Sequence, residues 1–151
     1  MTESSAALTD REFMDALLDL VIPPNASGSL PGAGALGLSP GVALALQADP
    51  LLGPIVEAGL QAVRAAARSQ HPGGLPGMTP EAGTKLVEAQ LSAHPFFMMG
   101  LLRYVYPAYY QHPQALIGIG EPPRPPFPEG FDVEPTGAAL LEKLQSRRRA
   151  G

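Results

Sequence analysis

The sequence predicts an all-α protein, an irregular bundle of about six short helices with Gly/Pro-rich connections and an extended Pro-rich arm before the last helix. Three observations carry this expectation. Apolar residues recur at helical spacing in one segment after another, and no alternating strand pattern runs for more than a few residues. Gly 17 and Pro 18 are high counts, and they fall where the helical patterns stop and start. The 151 residues suit a single helical domain, with 1–7 expected as a flexible lead, 121–135 as the extended arm and 136–151 as the terminal helix.

The elements follow in order. "LTDREFMDALLDLVIPP" offers Thr9 as N-cap with Glu12 three residues on, a capping box, followed by Phe13, Ala16, Leu17, Leu20 and Val21 at helical spacing. Pro23 and Pro24 stop that helix. "NASGSLPGAGALGLSP" reads as an ordered loop leading to Ser39-Pro40, where "GVALALQ" opens a short helix. Asp49-Pro50 starts the longest pattern, a stripe of Leu52, Ile55, Val56, Gly59, Leu60, Val63, Ala66 and Ala67, with Glu57, Gln61, Arg64 and Arg68 elsewhere. "HPGGLPG" breaks it. Thr79-Pro80-Glu81 then begins a helix to about Ser92 that buries Leu86, Val87 and Leu91.

His94-Pro95 introduces "FFMMGLLRYVYPAYY", which is apolar on every side and so is buried from several directions or against a partner. Pro107 is expected to kink or end it. His112-Pro113 starts a further short helix, "QALIG", and "EPPRPPFPEGFDVEP" reads as extended polyproline-like chain. Thr136 caps a last helix, "GAALLEKLQSRRR", whose arginines complement the helix dipole.

The bulk numbers remove several function classes. The net charge is -4 and the basic residues form no long stripe, so the electrostatic footprint of a nucleic-acid binder is missing. With Cys 0 there is no disulfide, thiolate nucleophile or Cys-ligated metal. The longest apolar run, "PFFMMGLL", falls well short of the roughly 18–20 residues of a membrane span. Glu3, Asp10, Asp15 and Asp19 interrupt the start, which is unlike a signal peptide, so the expected compartment is the cytoplasm, or the periplasm if a partner carries the chain there.

Candidate chemistry is sparse. His71, His94 and His112 each precede a proline, a placement that reads as chain punctuation, and no pair has the i,i+4 spacing of a helical metal site. "GAGALG" matches G-x-G-x-x-G but follows a helix and lacks the strand-turn-helix frame of a phosphate loop; flexible turn geometry is the better account. Asp15 and Asp19 sit at i,i+4 off the apolar stripe and are expected to be solvated. No serine has a G-x-S-x-G setting. Arg103, in an otherwise apolar and aromatic helix, needs a carboxylate, a Tyr to stack on or a route to the surface. Tyr104, Tyr106, Tyr109 and Tyr110 combine ring area with a hydroxyl, the composition of interface cores, so a mixture of core and interface tyrosines is expected. The arm, Glu121 to Pro135, is expected to strap its own domain or a neighbour.

In their order, "LTDREFMDALLDLVIPP", "LPGAGALG" and "YYQHPQALIGIG" followed by a Pro-rich arm resemble the gluconate 2-dehydrogenase subunit 3 family, the small gamma subunits of flavin-dependent sugar and alcohol dehydrogenases. The resemblance covers both ends and leaves Val42 to His94 matched only by helical character. It implies a non-catalytic accessory subunit without a cofactor of its own, which binds a flavin-dependent large subunit of the glucose-methanol-choline type and helps it mature or stay stable. FAD is then expected in the partner chain. Tyr109, Tyr110, His112, Pro113 and Gly120 match the family's motif. The partner interface expected on this reading comprises Phe96, Phe97, Arg103, Tyr104, Tyr106, Tyr109, Tyr110, His112, Pro125 and Phe127, with no catalytic, cofactor or metal residue. Two alternatives stay open: a small-ligand binder or enzyme using a pocket between the Tyr-rich helix and the glycine loop, with His112 or His94 as base, and a homo-oligomeric helical scaffold.

Overall fold

A computed structural model of the chain describes residues 6–124 and Gln145. Among the described residues there are seven α-helices and no strand. They are α1 (Ala6–Thr9), α2 (Arg11–Val21), α3 (Ser39–Ala48), α4 (Leu52–Gln70), α5 (Pro80–Leu91), α6 (Phe97–Tyr110) and α7 (Pro113–Gly118). Short 3-10 turns lie at Gly34–Leu36 and Leu75–Gly77. The all-α expectation holds. The expected terminal helix, apart from Gln145, and most of the Pro-rich arm, including Pro125 and Phe127, lie outside the described residues.

α4 is the central element. Its 19 residues span about 28 Å, and Val56, Leu60, Val63 and Ala67 on one stripe are fully buried. α1, α3, α5 and α6 all pack on it. Ile55, expected on the same stripe, is exposed. It lies on the edge of the stripe, one position past the face that α6 covers.

The approach of α6 to α4 depends on two glycines. A Cβ at Gly59 would run into the Cβ and Cγ of Phe97, and one at Gly100 would run into Val56. Each helix thus carries a notch that receives the other's side chain, and Phe97 is buried completely.

α2 begins one residue later than expected. Asp10, not Thr9, is the N-cap: its Oδ1 accepts the Phe13 N–H at 3.2 Å. The other carboxylate oxygen accepts from Arg64 at 2.8 Å and Arg68 at 3.2 Å, both on α4. A carboxylate anchored by two guanidiniums is a better acceptor at a helix N-terminus than a hydroxyl. Thr9 instead closes α1, donating to the Ala6 carbonyl at 3.4 Å. Ala7 and Leu8 are buried in the core, so the end of the expected flexible lead, 1–7, is part of the packed domain.

Asp49 and Thr79 punctuate the chain as expected. Asp49 Oδ1 accepts from the N–H groups of Leu51 and Leu52 at 2.8 and 2.9 Å and launches α4. Thr79 accepts from Ala82 at 3.3 Å and caps α5. Pro107 is the exception, because α6 runs through it to Tyr110. Pro107 and the residue whose carbonyl loses its donor, Arg103, both lie on the exposed side, where solvent is at hand. Buried Val105 and Tyr109 on the opposite face hold the helix together past it.

Candidate docking surface

α6 has two faces of different character. Phe97, Gly100, Leu101, Val105 and Tyr109 point into the core. Met99, Arg103, Tyr106 and Tyr110 follow at i, i+4, i+7 and i+11, the spacing of one helix edge. All four are exposed. Met99 keeps 64% of its surface in solvent, Tyr106 46% and Tyr110 50%. The rings of Tyr106 and Tyr110 meet edge to face, with centroids 6.2 Å apart, so neither wanders freely over the surface.

Beside this stripe a groove opens between α5 and α6, with α2 as its floor. It has a volume of about 190 Å³ and is lined mainly by apolar side chains, among them Leu17, Leu20, Val87, Leu91, Met98 and Leu102, with Tyr106 on its rim. Such a volume is small for a drug-sized ligand, for which roughly 300–1,000 Å³ is usual. It suits one or two side chains of a protein partner.

The expected interface residues separate into three groups. Phe96, Arg103, Tyr106 and Tyr110 are exposed. Phe97 and Tyr109 belong to the core: Phe97 fills the notch at Gly59, and Tyr109 donates its hydroxyl to the Pro31 carbonyl at 2.8 Å. Tyr104 and His112 are half-buried and engaged within the chain. The Tyr104 hydroxyl donates to Asp49 Oδ2 at 2.5 Å. That bond to Asp49 pushes the Tyr104 hydroxyl above the usual tyrosine range, with burial adding to it and Arg103 opposing it. The same bond, with the two backbone N–H donors and the Arg103 charge, holds Asp49 below the usual carboxylate range.

Two of the three histidines bond to the backbone just past the proline that follows them. His112 Nδ1 accepts from the Gln114 N–H at 3.3 Å and His71 Nδ1 from the Gly73 N–H at 3.0 Å, in both cases across the following proline. Among the described residues no group of three His, Asp or Glu side chains is placed to hold a metal ion. Between the Tyr-rich helix and the glycine loop, Tyr109 bonds to the Pro31 carbonyl, and Gly118 of α7 lies close to the Ser29 carbonyl and Leu30.

The two aspartates of α2, expected to be solvated, are half-buried and bonded within the chain. Asp19 Oδ1 accepts from the Gly34 N–H at 2.8 Å, and Asp15 Oδ1 accepts from the buried Ser39 hydroxyl at 2.5 Å. Asp15 also pairs with Arg11 at 3.5 Å. The glycine loop therefore has its own carboxylate where a phosphate loop would have a ligand, and it is latched to α2. Gly32 and Gly34 are needed for that approach, since a Cβ at either would strike Asp19 or the Asp15 carbonyl.

Two further hollows lie among the described residues. A cleft of about 160 Å³ is lined by Asp10, Arg64, Arg68 and the Gly73-Gly74 turn, and both guanidiniums there are already bonded to Asp10. An open hollow of about 460 Å³ lies between the α1–α2 junction and α3, beside exposed Leu44.

The stripe is the feature that reading the sequence missed in part. Met99 belongs to it and was not singled out, although the 4-3-4 spacing from Met99 to Tyr110 is visible once a face is chosen. No helix among the described residues is long and apolar enough to cross a membrane. No family model, curated protein or solved structure matches the chain.

Proposed function

We propose that this chain is a non-catalytic accessory subunit that binds a flavin-dependent sugar or alcohol dehydrogenase large subunit of the glucose-methanol-choline type. The identity of the partner comes from the resemblance in the order of motifs. The observation that carries a docking role is the exposed Met99, Tyr106 and Tyr110 edge of α6 beside the apolar α5/α6 groove. Tyr and Arg are enriched in interface hot spots, and a groove that accepts single side chains suits an anchor from a partner.

The mechanism is mass action. A subunit that binds only the folded large subunit stabilises it, by about 2.7 kcal/mol when present at 100 times its Kd. FAD and catalysis reside in the large subunit, and the complex occupies whatever compartment that subunit is sent to.

Expression of the large subunit with and without this chain tests the reading. Its soluble yield and flavin content should rise several-fold with the small chain present, and Tyr106→Glu should abolish the gain. A large subunit equally soluble, flavin-loaded and active when made alone would reject the role.

A further inference from the structure

The outer edge of α6 is self-complementary. Along it the order is Met99, Arg103, Tyr106, Tyr110. If a second α6 lies antiparallel across this edge, with a two-fold axis passing between positions 104 and 105, Arg103 faces Tyr106 of the second copy and Met99 faces Tyr110 of the second copy. Both pairings are favourable: a guanidinium over a tyrosine ring, and a thioether at an aromatic edge. The two-fold repeats each pairing, so the seam holds two of each. In a parallel pairing, by contrast, Arg103 would meet Arg103, a like-charge contact in the middle of the seam.

We propose that the chain pairs with a second copy of itself through this antiparallel α6 seam when no other partner covers it. Two features of the fold favour that occupant. The 4-3-4 spacing is that of a two-helix seam. The Tyr106–Tyr110 ring contact restrains the aromatic half before association, so less side-chain freedom is lost. The inference concerns the chain by itself and does not rest on the flavoprotein reading.

Light scattering on the purified chain is the first measurement. At on the order of 100 µM it should give twice the 15.7 kDa of one chain, and Tyr106→Glu or Arg103→Glu should return it to one chain mass with unchanged helical circular dichroism. The register is read by cross-linking, which is clean because the chain has no cysteine of its own. Met99→Cys mixed with Tyr110→Cys should give a mixed disulfide, while Met99→Cys alone should give none, because two copies of position 99 are about 16 Å apart along an antiparallel seam.

A monomer at every concentration overturns the proposal, as does a dimer that survives both charge variants. A disulfide between two copies of Met99→Cys overturns the antiparallel register. A monomeric chain whose Tyr106→Glu variant loses the large subunit would assign the edge to that subunit, against self-pairing but in favour of the accessory role.

Discussion

Phe97 packs its ring root against the bare backbone of Gly59, and this contact sets how closely α6 lies on α4. The same crossing has Val56 seated over Gly100. Two large side chains and two glycines interlock, so the separation of the helices is fixed by the residues with no side chain as much as by those with one.

Gly59→Ala therefore opposes two effects of known size. Replacing Gly by Ala inside a helix favours folding by about 1 kcal/mol, whereas forcing a methyl into a packed core costs about 1–3 kcal/mol. The clash is with the root of the Phe97 side chain, which cannot swing away, so the cost wins and a net loss of up to about 2 kcal/mol is expected. Gly41→Ala, in α3 with open space around it, should instead gain about 0.5–1 kcal/mol. Urea midpoints of the two variants should move in opposite directions.

The latch between Asp19 and Gly34 gives a second expectation. Gly34 is buried, and Asp19→Ala removes the acceptor for its N–H. Leaving such a donor without a partner costs about 1–3 kcal/mol. Because the bond joins a loop to a helix, the loss should be concentrated in the loop. Amide exchange should accelerate at Gly34 and its neighbours well before it does in α4. Equal acceleration in both elements would mean that the latch supports the whole domain.

The fold was legible because its punctuation is chemical and local. Asp49, Thr79 and His112 each bond to a backbone N–H two or three residues ahead, and that geometry needs nothing from the rest of the chain. Asp15 and Asp19 were misjudged for the opposite reason. Their partners, Ser39 and Gly34, lie 24 and 15 residues away, and a helical wheel shows only which way a side chain points. The candidate surface on α6 was half legible for a related reason. α6 is apolar all round, so periodicity could not tell buried Phe97 and Tyr109 from exposed Phe96 and Tyr110. The choice of face is made by the notches at Gly59 and Gly100, a tertiary match between two helices.

As pH falls, the Asp10 cluster should weaken. Burial pushes the Asp10 carboxyl up, but the Arg64 bond, the Phe13 N–H and the charges of Arg64 and Arg68 together outweigh it and hold the group below the usual carboxylate range. A depressed folded-state pKa means stability that is fully present above the unfolded value, about 3.9, and lost as pH falls through the lower folded value. The stability difference between the wild type and Asp10→Asn should therefore be largest near neutral pH and shrink below about pH 4. A difference that stays constant from pH 7 to pH 3 would show that the carboxylate charge contributes nothing.

At high pH the sign reverses, and two tyrosines carry it. The Asp49 bond raises Tyr104, and burial, with Tyr110 adding to it, raises Tyr109. A raised folded-state pKa gives stability that is complete below the unfolded value, about 10, and lost as pH climbs through the folded value. Ionising Tyr109 would strip the proton it donates to the Pro31 carbonyl and place a buried phenolate against that oxygen. Tyr109→Phe keeps the ring but loses the bond, so it should cost about 1 kcal/mol at neutral pH while removing part of the alkaline loss. Absorbance titration of phenolate formation in parallel with circular dichroism separates the two: ionisation of the raised pair should coincide with unfolding in the wild type, and in Tyr109→Phe the unfolding limb should begin at higher pH relative to its own neutral stability.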